Sequence, residues 1–226
     1  MRAMQVDRWC EPKDLELVEL EGPRPAPGEV VIDVKRIGVN LADILMVQGK
    51  YQIRPPFPFA PGSEVAGVIR ETGPGVSSFA VGQRVLALLP YGAYASEVAV
   101  SAERVFALPE AMSFDHAAAL TVVYHTSYFA LVYRAPVRPG QTVLVHGAAG
   151  GVGLAAVQIA KALGARVLAT AGSAEKRAFV LSQGAEAAFD SRDPGWVQEV
   201  LSATQGRGAD HIYDPVGGDI FDLSLK

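Results

Sequence analysis

The 226-residue chain carries 20 basic and 24 acidic residues for a formal charge of −4, and half of it is apolar. That composition supports a sizeable core and two domains, while the lack of any long run of one charge gives no sign of a nucleic-acid footprint and makes a small molecule the expected partner. Cys10 is the single cysteine, which excludes an internal disulfide and any multi-thiolate metal site; no stretch nears the roughly 20 apolar residues of a membrane span, and Met1–Val6 has no signal-peptide core, so a cytoplasmic enzyme is expected.

Residues 1 to about 110 alternate short β-like runs with Gly and Pro. The runs are Leu15–Leu20, Glu29–Val39, Glu64–Glu71, Arg84–Leu89 and Ala95–Val100. Turn signals at Gly22–Gly28, Pro55-Pro56, Pro61-Gly62 and Gly73–Gly75 separate them, a spacing that predicts an irregular β-barrel. One helix is predicted over Leu41–Val47, with Asn40 as its N-cap and Asp43 at its positive end. From Ser113, itself a predicted cap, the apolar and Ala-rich run Phe114–Val132 reads as helix with a break near Val122–His125.

From Thr142 the pattern alternates strand and helix. Strands are predicted at Thr142–Val145, Arg166–Thr170, Ala187–Asp190 and Asp210–Asp214, and helices at Val152–Leu163, Ala174–Gln183 and Trp196–Thr204. Such alternation defines a parallel sheet with crossover helices. Between the first strand and its helix lies HGAAGGVG, His146 to Gly153. The small residues of the pattern Ala148-x-Gly150-x-x-Gly153 let the backbone approach a pyrophosphate, the free N–H groups and dipole of the helix start favour its charge, and Ala149, Gly150, Gly151, Val152 and Gly153 are the expected cofactor-binding set.

The end of the second strand selects the dinucleotide. An NAD-specific site places a carboxylate there for the ribose hydroxyls, whereas this chain has Ala171, Gly172 and Ser173, with Lys176 and Arg177 following. No acid repels a 2′-phosphate, so NADPH is the expected cofactor. The competing reading makes Lys176 and Arg177 solvated first-turn residues, and Glu175 in the same turn weighs against the phosphate.

In order along the chain, GVNLAD (Gly38–Asp43), PGSEVAGVI (Pro61–Ile69), VGQRV (Val81–Val85), HGAAGGVG and DPVGG (Asp214–Gly218) resemble the zinc-independent, zeta-crystallin-like quinone oxidoreductases of the medium-chain dehydrogenase/reductase superfamily. The similarity spans essentially the whole chain. It implies an α/β fold with a GroES-like barrel domain over residues 1–123 and an NADPH-binding Rossmann domain over 124–226, the nicotinamide lying between them. Zinc-dependent relatives carry Cys at the position of Asn40 and His at that of Ser63, with a four-cysteine lobe absent here; no catalytic zinc site can be assembled from what remains. The four histidines have no metal-like spacing and are expected at helix or strand ends, each meeting a backbone partner.

A quinone or activated enone suits a site without a Lewis acid, because conjugation spreads the charge that hydride transfer creates. The resemblance places Asn40, Tyr51 and Thr126 beside the nicotinamide and substrate, with the Tyr51 hydroxyl able to stabilise a developing oxyanion. Asn40 can equally be a helix cap and Tyr51 a packed aromatic; Asp43 is read as structural and Glu64 as pinning the barrel loop. Ser191, Arg192 and Val216 join the cofactor-binding set. Two positions depart from the family: Val47 stands where many members have Arg, and Asp190-Ser191-Arg192 stands where a Tyr often holds the adenosine phosphate. A 2-enoyl-thioester or alkenal reductase is the alternative within the class, and a non-catalytic crystallin-like or RNA-binding protein, or an inactive fragment, the alternative outside it. The resemblance also implies a homodimer for the full-length enzyme. It further implies two more sheet strands beyond Lys226, so that only the first four strands of the dinucleotide fold are expected.

Overall fold

A computed structural model describes residues 1–225, which divide into two compact units, Met1–Val122 and a second beginning at Val123. The first unit holds β1 (Arg2–Gln5), β2 (Glu16–Glu19), β3 (Glu29–Ile37), α1 (Leu41–Val47), β4 (Glu64–Thr72), β5 (Arg84–Leu88), β6 (Glu97–Ser101), β7 (Val105–Ala107) and α2 (Phe114–Ala118). Strands β3 to β7 form one antiparallel sheet in the order β6-β3-β4-β5-β7, and β1 and β2 form a separate ribbon. Register shifts at Val31/Ile32 and Val34/Arg36 bend β3 against β4, the extra-residue device that lets a sheet curl.

Alternation sets the core of this sheet. Val30 and Ile32 on β3, Val65 and Ile69 on β4, Val85 and Ala87 on β5, and Val98 and Val100 on β6 share one buried cluster. The opposite face, through Ala66 and Leu86, is covered by Ala117 and Ala118 of α2. Strands β1 and β7 escaped the sequence reading: β1 is four residues long and β7 three, too short for their alternation to register.

The run expected as one helix over Phe114–Val132 is divided. Helix α2 ends at Ala118, α3 spans Thr121–Tyr128, and a π-helical turn follows over Phe129–Arg134. The break therefore falls at Ala119 and Leu120, not at Val122–His125. Its cause is a buried carboxylate: Glu64 Oε2 accepts the Val122 N–H at 2.8 Å, giving a new helix start an acceptor that the preceding turn cannot supply.

The second unit continues with β8 (Thr142–Val145), α4 (Gly151–Ala162), β9 (Arg166–Ala171), α5 (Ala174–Ser182), β10 (Ala187–Asp190), α6 (Trp196–Ala203), β11 (His211–Tyr213) and α7 (Asp219–Ser224). Its four described strands are all parallel in the order β10-β9-β8-β11, the 3-2-1-4 half of a dinucleotide fold. Val143, Val145, Val167 and Ala169 face α4 and α5 through Ala156, Val157, Ala160 and Val180, while Leu144 and Leu168 face Trp196 and Val200 of α6. Both faces are covered, as a parallel sheet requires. Among the described residues no helix is long and apolar enough to cross a membrane.

Leu144 is 1% exposed, between sheet and α6. Truncating it leaves a cavity that the fixed sheet backbone cannot collapse, so Leu144→Ala is expected to lower unfolding free energy by about 2–5 kcal/mol. Chemical denaturation checks this, and a loss below about 1 kcal/mol would mean that α6 does not close tightly on the sheet.

Candidate functional site

In the first unit two carboxylates have been taken out of water beside Asn40. Asp43 and Glu64 are each 2% exposed, and burial raises the pKa of both. Asn40 enters α1 with extended backbone (φ −124°, ψ 155°), and its N–H donates to Asp43 Oδ2 at 2.8 Å, the reach-back half of a capping box. Asp43 also accepts from the Tyr94 hydroxyl at 3.1 Å and from Ser63 Oγ at 3.4 Å. Tyr94 in turn is held protonated, chiefly by burial and then by the Asp43 charge.

The Asn40 side chain points to the other carboxylate. Its Nδ2 donates to Glu64 Oε1 at 2.8 Å, while Glu64 Oε2 takes the Val122 N–H. Asn40 is thus both cap and partner of a buried acid. Asp43 and Glu64, read from sequence as structural, hold the surroundings of Asn40 together; Tyr94 was missed, since an isolated Tyr after a Gly-rich turn carries no signal of its partner. Tyr51 packs, half-buried, against Val6, Met46, Val47 and Phe59. Thr126 lies exposed on α3, in the second unit.

The glycine loop of the second unit is built by sterics. Gly147 adopts φ +56° and Gly150 is the N-cap of α4. A side chain on Gly153 would collide with the Gly147 carbonyl and the Ala148 backbone, and one on Gly151 would meet Val123 Cγ1 at 2.9 Å. No side chain caps α4, so the N–H groups of Gly151, Val152 and Gly153 have no acceptor within the helix. Val216 belongs to the same neighbourhood: its Cγ2 lies 3.1 Å from where a Gly147 Cβ would stand, and its N–H donates to Asp214 Oδ1 at 2.8 Å. Ala149, beside the loop's turn, is half-buried.

The end of β9 brings a third group together. A Cβ on Gly172 would stand 3.6 Å from Ser191 Oγ and 3.9 Å from Arg192 Cδ, so these three residues line one corner. Ser173 caps α5 by accepting the Lys176 N–H at 3.2 Å, and the Lys176 side chain is exposed. Arg177 is not a solvated residue: Nη1 pairs with Asp190 Oδ2 at 2.9 Å and donates to the Ala171 carbonyl at 3.2 Å. Asp190 also accepts the Arg192 N–H at 3.0 Å, the main cause of its lowered pKa.

Histidine placement corrects one expectation, because His146 and His211 meet side chains and not backbone. His146 is fully buried, with Nδ1 2.8 Å from Thr170 Oγ1, Nε2 3.0 Å from Ser224 Oγ and its ring against Trp196. His211 Nε2 lies 3.1 Å from Gln141 Oε1. No group of three His, Cys, Asp or Glu able to hold a metal occurs among the described residues.

A curled antiparallel unit followed by a parallel dinucleotide-type sheet with a glycine loop defines the medium-chain dehydrogenase/reductase class. Residues 26–110 match the alcohol dehydrogenase GroES-like domain and residues 151–226 the zinc-binding dehydrogenase domain. The chain is 38% identical to the quinone oxidoreductase of Rattus norvegicus over 228 residues, covering all of this chain and 69% of that protein. It superposes on the Escherichia coli quinone oxidoreductase complexed with NADPH with a TM-score of 0.95 at 34% identity, covering 100% of this chain and 69% of that one. The CurK enoyl reductase structure gives a TM-score of 0.93 at 33% identity, covering 99% and 70%. The chain therefore belongs to the quinone oxidoreductase family. It spans about two thirds of the length of the curated relatives it matches.

The surroundings of His146 set a pH dependence. Burial lowers its pKa from the ordinary 6.5, opposed by the Asp214 charge. The unfolded chain then binds this proton at a higher pH than the folded one, so stability is lost as pH falls below about 6.5, with a slope of at most ~1.4 kcal/mol per pH unit. The raised pKa values of Asp43 and Glu64 act in the opposite sense at lower pH. Melting temperatures from pH 7.5 to 5.5 should fall more steeply for the parent than for His146→Gln; parallel curves would show that His146 titrates normally.

Proposed function

We propose that this chain is the dinucleotide- and acceptor-binding part of an NADPH-dependent quinone or enone reductase working by direct hydride transfer without zinc. The carrying observation is the loop Gly147–Gly153, where glycines clear the approach and the first three N–H groups of α4 have no acceptor within the helix and no side-chain cap among the described residues. A pyrophosphate supplies the negative oxygens such a helix start favours. The corner of Gly172, Ser191 and Arg192, with Lys176 and Ser173 on the adjoining turn, is assigned to the adenosine ribose and its 2′-phosphate, and Val216 to the nicotinamide side of the loop. The binding of NADPH by a family member of known structure supports the same choice.

When bound, the nicotinamide supplies hydride; with one proton from water it converts a quinone to a hydroquinone, leaving NADP+. The chain's task is to orient and to exclude water. Asn40 and Thr126 are assigned to the nicotinamide, and Tyr51 to the acceptor, where its hydroxyl donates a hydrogen bond to the oxygen that gains charge. Zinc does not suit the donor set: the positions that ligate it in zinc-dependent relatives hold Asn40 and Ser63, whose polar atoms are engaged with Glu64 and Asp43, and no thiolate replaces them. A homodimer in the cytoplasm completes this reading. The CurK relative favours one alternative, an enoyl-thioester acceptor in the same site.

Fluorescence titration with NADPH beside NADH tests the cofactor assignment. Lys176→Ala with Arg192→Ala should weaken NADPH binding about 10- to 100-fold, the worth of one or two charge-assisted bonds, and leave NADH within about twofold. Equal effects on both would remove the 2′-phosphate from this corner. Turnover with a quinone above that with an enoyl thioester supports quinone reduction, and the reverse order selects the thioester reading.

A further inference from the structure

An Asn side chain can turn either of two chemically opposite ends toward a neighbour, and a carboxylate accepts from only one of them. The setting of Asn40 leaves little freedom. Glu64 faces it with Oε1 at 2.8 Å from Nδ2, and the second oxygen, Oε2, is committed to the Val122 N–H at 2.8 Å. Gly38 packs so closely on this carboxylate that a Cβ there would collide with Glu64 Oε1 and the Ala118 carbonyl. The oxygen end of Asn40 is left to the start of α1, where the Asp43 N–H donates at 3.1 Å to the Asn40 main-chain carbonyl within the capping box. The Glu64 acceptor thus demands one orientation of the amide, with Nδ2 toward the carboxylate.

We propose that Glu64 is a positioning residue, whose carboxylate fixes the Asn40 amide with Nδ2 toward the protein and so determines which atoms Asn40 offers to a bound ligand. The consequence for reaction rests on the reading of Asn40 as part of the reduction site. The orientation itself does not.

Glu64→Gln is the sharp variant because it keeps shape and removes only the second acceptor. The Val122 N–H needs an oxygen, so the Gln amino end faces Asn40, and Asn40 must turn over or lose its bond. Asn40→Asp sets a second carboxylate against Glu64, and Glu64→Gln then relieves it by donating to the new oxygen.

The test combines three measurements on the protein. In side-chain amide NMR, one Asn40 Nδ2 proton of the parent should be shifted downfield and exchange slowly, and this signal should vanish in Glu64→Gln. In melting experiments, Asn40→Asp should be destabilised and regain most of the loss when combined with Glu64→Gln. In turnover, Glu64→Gln should reduce kcat about tenfold or more with KM for NADPH within about twofold, yet change kcat by less than about twofold in an Asn40→Ala background. A persistent downfield signal, or no rescue of Asn40→Asp, overturns the orientation. Equal losses in both backgrounds overturn action through Asn40. A parent that reduces no quinone or enone overturns the functional reading instead, while the NMR and melting results still decide whether Glu64 sets the amide.

Discussion

Two carboxylates removed from water are the constraint on which the first unit turns. Each costs several kcal/mol to desolvate, and among the described residues no cation is paired with either to offset it. The compensation is a set of neutral donors: the backbone N–H groups of Asn40 and Val122, the Asn40 amide, and the hydroxyls of Tyr94 and Ser63. Those donors come from chain segments far apart in sequence, so satisfying Asp43 and Glu64 fixes α1, the start of β4 and the start of α3 together. A fold that misplaced any one segment would bury an unpaired charge, which makes the arrangement a specificity device more than a source of net stability.

The second unit answers a different requirement. Its loop from Gly147 to Gly153 is shaped by close backbone packing, and it leaves space at the start of α4 and no side-chain cap on the N-cap Gly150. Ala148 is fully buried and its N–H is fixed on the Thr170 carbonyl at 3.1 Å, so the turn is anchored before the free N–H groups of α4 begin. His146, one residue upstream, is clamped by Thr170 and Ser224. The loop is therefore fastened at its entry by these bonds and left open where α4 begins, so a ligand bound there as proposed would have little of the loop to order.

The legible part of this structure was its periodic part. Alternating apolar residues located β3 to β6, and the strand-loop-helix rhythm after Thr142 located every described element of the second sheet, because burial repeats at fixed intervals that a sequence exposes. The glycine loop was equally legible, since Gly150 and Gly153 answer steric demands made by the Gly147 and Ala148 backbone a few residues away. The break at Ala119 was misplaced because its cause, the Glu64 carboxylate, lies 58 residues upstream of the Val122 N–H it accepts. Tyr94 and the Arg177–Asp190 pair escaped for the same reason: a partner brought in by tertiary folding leaves no mark beside the residue that uses it.

Asp190 shows what a local count of charges leaves out at the corner beyond β9. In sequence it is an acid standing next to Ser191 and Arg192. In the structure its two oxygens are spent on Arg177 and on the backbone and guanidinium of Arg192. Arg177 is thereby tied down against the strand end, while Arg192, whose side chain is 72% exposed and only loosely paired at 3.4 Å, keeps most of its donors free. The acid orients one cation and neutralises the other. Of the cations beside the end of β9, Arg192 and the exposed Lys176 are the ones whose donors Asp190 leaves largely uncommitted, so the proposed recognition of a phosphate at this corner depends less on the number of basic residues than on which of them the acid has already engaged.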